Sequence, residues 1–268
     1  MVVGNTALAA KMRCPVFALG LFLLPLTGVA QTPPADYSLV GAGLRARPAY
    51  DGAASERGEL IPVLRYFGRP GFARTTQGIL EGGARTELAS GLNLGAQLAY
   101  EGGRQARESA FLTSHNVPNI APGASIGAHL EWDRNLGPMP VTLLARVRQH
   151  TDADRGAQAD LRLTAGIYES GRLAAGVFAQ ATWANAKSTQ SFYGVTPQQS
   201  ATSGLPAFEA GGGLLFTGVG ILWLFDLSRE WVLTGGLEAR RLRGDAARSP
   251  LAEDPSNYYA SAGLAFRF

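Results

Sequence analysis

Cysteine is nearly missing from this 268-residue chain, since Cys14 is the only one. Without a pair there is no disulfide framework, and beyond residue 30 there is no thiolate to hold a metal. Cys14 precedes the apolar run 16–26 instead of standing at a cleavage point, so it is not the acylated cysteine of a lipoprotein. Long apolar stretches are missing too. The run 16–26 falls short of the ~20 helical residues that span a bilayer core, and no later stretch is apolar enough to do so. A surplus of one charge sign is also absent. The chain carries 24 basic and 21 acidic residues, and setting aside Lys11 and Arg13 leaves 22 against 21 beyond residue 30. The pI near 9.2 therefore implies no nucleic-acid partner. Lysine is scarce as well, with Lys187 the only one beyond residue 30.

The first thirty residues read as a cleaved secretory signal. Lys11 and Arg13 precede the apolar run, and Gly28, Val29 and Ala30 supply the small residues a signal peptidase needs. Residues 1–30 are thus expected to be removed, and 31–268 to form one domain with no internal boundary.

What is present is alternation. In 257–268, Tyr258, Ala260, Ala262, Leu264, Phe266 and Phe268 share one face, opposed by Tyr259, Ser261, Gly263, Ala265 and Arg267. A strand has a side-chain period of two, so one face is apolar with aromatics near its ends and the other small or charged, as a wall between lipid and a polar lumen requires. The aromatic end of this strand is expected to serve as the signal read by a barrel-insertion machinery. Segments 92–101, 123–133, 139–150 and 157–168 alternate in the same way. Each is about ten residues long, the length of a tilted membrane strand. The 34 glycines suit bends and close backbone approaches in a small barrel.

Connector lengths supply a second signal: short turns alternate with long loops, the layout of periplasmic and extracellular connections. The expected fold is all-β, a single transmembrane antiparallel up-and-down β-barrel of about 12 strands, at 36–47, 59–67, 71–77, 80–88, 92–101, 123–133, 139–150, 157–168, 172–184, 211–226, 231–243 and 257–268. The third and fourth are the weakest, and losing that hairpin leaves ten.

Predicted lumen residues carry both signs: Arg45, Arg85, Glu87, Glu101, Glu131, Arg146, Arg148, Asp160, Arg162, Glu238 and Arg240. Paired across the barrel they would plug it, whereas a single-sign arginine ladder would have argued for an anion channel. Tyr37, Tyr66, Trp132, Trp183, Trp223, Trp231, Phe266 and Phe268 read as girdles at the two membrane interfaces.

No catalytic, cofactor-binding or metal residue is expected, and no cofactor. The three histidines are His115 in a long loop, His129 facing the lumen and His150 near a rim. His150 with Asp152 and Asp154 imitates a hydrolase site, yet aspartates in such a loop more often satisfy their own backbone. Their spacing lacks the glycine and distal glutamate of a calcium loop. The glycines 211–213 precede no expected helix, which fails a phosphate cradle.

Three strings carry a resemblance. Phe192, Tyr193, Gly194, Val195 and Thr196 are followed by Ser203, Gly204, Leu205, Pro206, Ala207 and Phe208. Arg47, Pro48, Ala49, Tyr50, Asp51 and Gly52 follow the first strand, and 242–250 (LRGDAARSP) precedes the last. Together they resemble the MltA-interacting protein family of outer-membrane proteins, also called the OmpV family. Loop 102–122 departs from it, having Arg104, Arg107 and Glu108 where relatives often carry an acidic run. The resemblance implies a noncatalytic scaffold that binds a lytic transglycosylase and a penicillin-binding protein, or a general surface protein in contact with outer-membrane lipid and lipopolysaccharide. The alternative is a small diffusion channel with loop 187–209 folded across its mouth.

Overall fold

Strict alternation leaves a strand one lipid face and one water face, and a sheet immersed in lipid can satisfy its edges only by closing on itself. The computed structural model, which describes residues 37–76 and 78–268, has this form. The expected signal, 1–30, lies outside the described residues. Twelve strands run β1 (Leu39–Pro48), β2 (Glu56–Phe67), β3 (Gly71–Thr76), β4 (Ile79–Ala89), β5 (Leu92–Glu101), β6 (Gly123–Leu136), β7 (Met139–His150), β8 (Ala157–Ser170), β9 (Leu173–Ala184), β10 (Gly213–Asp226), β11 (Trp231–Leu242) and β12 (Ser256–Arg267). Each pairs antiparallel with its sequence neighbours, and β12 returns to β1 to close the barrel. The expected twelve strands are therefore present, and the ten-strand alternative falls.

Facing follows the alternation. On β12, Tyr258 is 67% exposed to the lipid side while Tyr259 is 6% exposed in the lumen. Closure is tight where glycine allows it: a Cβ on Gly41 of β1 would stand 2.1 Å from the Leu264 carbonyl oxygen of β12. The short turns 68–70, 90–91, 137–138, 171–172 and 227–230 lie at the periplasmic end, where Ser38 N–H also donates to the Phe268 carbonyl at 3.2 Å. Gly91 turns there with φ +71°, a conformation that favours glycine.

The third strand and the long loops depart from the expectation. The β3–β4 connection at the extracellular end is two residues, as the expected ranges had it, but β3 is only six residues long. Its pairing with β2 covers only Arg65–Phe67 against Phe72–Arg74, so β2 from Glu56 to Leu64 is paired with β1 alone. Pro62, which has no N–H to give a ladder, sits on this unpaired edge, where proline is tolerated. The long loops are not plain coil: they contain α1 (Ala110–Ser114), α2 (Ala186–Tyr193), α3 (Pro197–Ser203) and α4 (Gly244–Arg248). Thr196 starts α3 with a capping box to Gln199, and Asn185 caps α2.

Single residues move as well. Tyr37 is not a girdle residue but lies under the guanidiniums of Arg65 (4.5 Å) and Arg267 (4.8 Å) at the periplasmic mouth. Tyr168, which unbroken alternation over 157–168 would place on the same face as Asp160 and Arg162, pairs with Ala175 after a bulge at Ile167 and so turns to the outer wall. Glu87 is not in the lumen network, since it is exposed and accepts the Gly91 N–H of the adjoining turn at 3.0 Å. Outward Tyr66, Trp132, Trp231, Phe266 and Phe268 form the periplasmic girdle as expected, with Trp231 edge-on to Phe266 at 5.5 Å. Trp223 is outward near the same end but half-buried.

Candidate functional site

Among the described residues, charge is concentrated out of water in the lumen, because alternation on β3 to β8 turns Arg74, Glu81, Glu131, Arg146, Arg148 and Asp160 inward. A buried ion is tolerated only if it is paired and hydrogen-bonded, and these are. Arg146, with a side chain wholly shielded from solvent, donates from Nη1 to Glu81 (2.8 Å) and from Nε to Asp160 (2.9 Å). Arg74 joins Glu81 (2.6 Å) to Glu131, which also accepts from Arg85 (3.3 Å). Arg148 links Asp160 (3.1 Å) to Glu101 (2.7 Å), and Thr182 donates to Asp160 at 2.8 Å. On the facing wall, Arg162 lies 3.7 Å over Phe178, and Gln180 donates to Glu238 at 2.5 Å. Networks of both signs thus cross the mid-lumen, as the mixed pattern predicted, and leave a cavity of about 770 Å³ on their periplasmic side, lined by Arg74, Arg85, Glu131 and Arg162 among others.

Above this layer the long loops build a second, apolar core. Ala49, Tyr50, Ala53, Leu112, Val117, Val195 and Leu251 are buried together, with Leu205 and Phe208 packed against them. They come from four loops, 49–55, 102–122, 185–212 and 243–255, so the cluster is a cap over the extracellular mouth. Its polar joints are specific. Tyr50 O–H donates to the Leu251 carbonyl (2.9 Å), Ser249 O–H to the Tyr193 carbonyl (2.5 Å), and Gly211 N–H to Asp245 Oδ2 (2.7 Å). Val195 and Phe208 exchange backbone hydrogen bonds at 2.9 and 2.8 Å. The cap is anchored by Asp51, which accepts from Arg240 (2.8 Å) and from the Tyr259 hydroxyl (2.5 Å) on the inner wall, while Asn257 accepts the Gly52 N–H at 2.7 Å.

Burial alone would push the Asp51 carboxyl up, but the Arg240 guanidinium, the Tyr259 hydroxyl and Arg47 together leave it below the ordinary carboxylate range. Burial pushes the Tyr50 and Tyr193 hydroxyls up. It pushes Arg104 down, with the Phe192 carbonyl at 2.5 Å and the Tyr50 ring as neighbours.

His150, Asp152 and Asp154 share one turn. Asp152 donates its backbone N–H to His150 Nδ1 (3.0 Å) and its carboxylate accepts the Asp154 N–H (3.1 Å), which is turn chemistry. His129 Nδ1 meets Gln97 Oε1 at 2.5 Å and its ring stands edge-on to Phe72. His115 closes α1 with Nδ1 2.9 Å from the Phe111 carbonyl. Among the described residues no cluster of three or more His, Cys, Asp or Glu could hold a metal.

Sequence reasoning missed Arg74, Glu81 and Asp51. Arg74 sits on the shortest strand, where alternation is too brief to read; Glu81 shares the inward parity of Arg85 on β4 but stands near the start of that strand; and Asp51 looks like an ordinary turn aspartate. The family-like strings did mark the cap, since Tyr50, Asp51, Tyr193, Val195, Leu205, Phe208, Asp245 and Ser249 all belong to it.

Solved barrels resemble the chain in outline. An outer membrane channel from Pseudomonas putida F1 is 10% identical with TM-score 0.44 over 91% of this chain and 100% of that one. The translocator domain of the autotransporter NalP from Neisseria meningitidis is 10% identical with TM-score 0.44, over 89% and 91%. The β domain of a Bordetella autotransporter is 13% identical with TM-score 0.40, over 86% and 98%. Such distances carry no argument, and the fold rests on the closed sheet itself. No curated protein matches the sequence. The three strings, the twelve-strand outer-membrane barrel and the cap they build are accompanied by a match of residues 40–268 to the family model described as MltA-interacting protein MipA, and the chain belongs to that family.

Proposed function

We propose that this barrel is a noncatalytic scaffold whose periplasmic rim docks a murein lytic transglycosylase, with a penicillin-binding protein as a further member of the assembly. The description of the matching family, as interacting with such an enzyme, supports the partner class. The observation that carries the reading is the asymmetry of the two ends. The extracellular mouth is covered by the cap, whereas the periplasmic mouth is an uncovered concavity of about 520 Å³, lined by Tyr37, Arg65, Glu169, Arg172, Asp226 and Arg267 among others. Its rim carries Arg267 hydrogen-bonded to Asp226 at 2.5 Å. The turns around it are short, and no single one offers the ~800 Å² per partner of a standard interface. Docking therefore needs the concavity together with several turns. The outer wall contacts lipid, with lipopolysaccharide at its extracellular half, and residues 1–30 are removed on export.

The test is direct binding of the refolded mature barrel, in bilayer discs, to a purified murein lytic transglycosylase. Replacement of Arg69, Arg172 and Arg229 by Ser, on three periplasmic turns, should weaken binding at least tenfold. A barrel that binds no such enzyme, or binds equally well after those replacements, would overturn the reading.

A further inference from the structure

The wall of this barrel is discontinuous between β2 and β3. Ladder pairing ends at Arg65 opposite Arg74, and among the described residues β2 from Glu56 to Leu64 has no ladder partner on that side. One cavity of about 600 Å³ lies at this seam, and its lining mixes two faces of the same sheet. Leu60 (80% exposed), Pro62, Leu80 and Tyr100 point to the lipid side, while Arg45 and Glu59 point into the lumen. Residues on opposite faces can line one cavity only where the sheet between them is open. The volume lies within the ~300–1,000 Å³ of small-molecule sites.

Behind the seam stands a cluster of guanidinium groups. Arg45 and Arg47 of β1 and Arg57 of β2 share Glu59, at 3.5, 2.9 and 2.5 Å, and Arg57 also pairs with Glu108. Three cations thus meet two carboxylates. Arg45 Nε, 3.5 Å from Glu59 Oε1, makes an ion pair but no hydrogen bond although it is shielded from solvent. The Arg45 guanidinium lies against the tip of the β3–β4 hairpin, where a Cβ on Gly78 would stand 1.6 Å from Nη1. Apolar lips on the lipid side and a cationic surplus inside match one kind of occupant.

We propose that the seam is a lateral portal for a single-chain anionic amphiphile from the surrounding leaflet. Its carboxylate or phosphate sits on Arg45, Arg47 and Arg57, and its chain lies between Leu60–Pro62 and Leu80–Tyr100. This goes beyond the scaffold reading and does not depend on it, since it uses the opposite half of the barrel.

The experiment uses the refolded mature chain in phosphatidylcholine vesicles with dansyl-undecanoic acid as the fluorescent probe. Cysteines at Leu60→Cys and Leu80→Cys allow a bis-maleimide to bridge the seam, because the chain beyond residue 30 has none of its own. Saturable binding is expected, displaced by dodecanoate but not by dodecanol or inorganic phosphate, with roughly tenfold tighter competition for every two methylenes added. Bridging should reduce binding at least tenfold relative to the same unbridged protein, and Arg45→Gln with Arg57→Gln should do likewise. Should the arginine variant fail to fold, the bridged and unbridged forms of one protein still decide the portal. Absence of saturable binding, or equal binding after bridging, overturns the proposal. Equal displacement by dodecanol overturns the head-group assignment, and displacement by inorganic phosphate reduces the seam to an anion pocket without a portal.

Discussion

Arg240, on the inner wall of β11, donates to Oδ2 of Asp51 at 2.8 Å, across 189 positions of sequence. Tyr259 of β12 holds the other oxygen at 2.5 Å. The first extracellular loop is thereby fastened to the wall beside the seam where the last strand meets the first. Asp51→Ala leaves both donors without this acceptor, a loss of about 1.5–3 kcal/mol for hydrogen bonds to a charged group. The barrel strands keep their own ladders, so the loss should appear as local opening of the cap. Limited proteolysis should cut the loops 49–55 and 243–255 at least ~10-fold faster in the variant, by the ~1.4 kcal/mol per decade relation, with the barrel itself intact on a heat-modifiability gel.

The same carboxylate makes the cap sensitive to acid. Because the folded state holds Asp51 below the ordinary range, the unfolded loop binds a proton more readily than the folded one. The stabilisation is therefore fully present above ~pH 4, the ordinary aspartate value, and is lost as pH falls through the lower folded value. Hydrogen exchange of the cap amides, corrected for intrinsic rate, should stay flat from neutral pH to ~4 and accelerate below it. Asp51→Asn should remove that acid limb, and an unchanged profile in the variant would assign the limb to another group.

How much of this was legible in the sequence follows from period and length. Strands β5 to β12 are ten residues or longer and alternate over most of their length, so their existence and most of their facing could be read. β3 offers six residues, too few for the period to stand out, and with it went Arg74 and the gap beside β2. Bulges were invisible because one inserted residue, Ile167, reverses facing without changing composition. The cap is tertiary: Leu112 and Val117 of one loop meet Tyr50 and Leu251 of two others, and no local pattern announces that meeting. Some local signals were nevertheless on the page, such as Thr196 followed three positions later by Gln199 at the start of α3.

Leu112 is the best single probe of the cap core. It is 1% exposed, and its helix α1 is only five residues long, too short to persist without tertiary packing. Leu112→Ala deletes buried methyl groups at a cost of about 2–5 kcal/mol, depending on how far the site collapses. Since the cap lies outside the strand ladders, the expected result is faster exchange at α1 and in the cap segments that pack on it, with the strand amides unchanged. Equal acceleration throughout the barrel would mean that cap and wall unfold as one unit.

Conduction tests which of two seals matters. A channel gated by loop 187–209 would open when that loop is deleted. The lumen below it is crossed by the chain of Arg74, Glu81, Arg146 and Asp160, in which the Glu81 and Arg146 side chains are wholly shielded from solvent and Asp160 nearly so. Ion pairs of this kind do not part to admit a solute at low cost, because each exposed partner would be left unpaired in a site of low dielectric constant. The intact chain and the loop-deleted chain should therefore both give no stable conductance steps in a planar bilayer. Replacing Arg146 alone would leave Glu81 and Asp160 short of a cation, at a cost of about 3–5 kcal/mol, and would report instability more than permeability. Replacing Arg74, Glu81, Arg146 and Asp160 together by Ala removes two charges of each sign and clears the middle of the lumen without stranding one of these carboxylates beside a missing partner. Only with this fourfold change and the loop deletion combined should steady ohmic steps appear. Steps in the loop-deleted chain alone would show that the cap is the seal and that water passes the arginine network, and would restore the diffusion-channel reading.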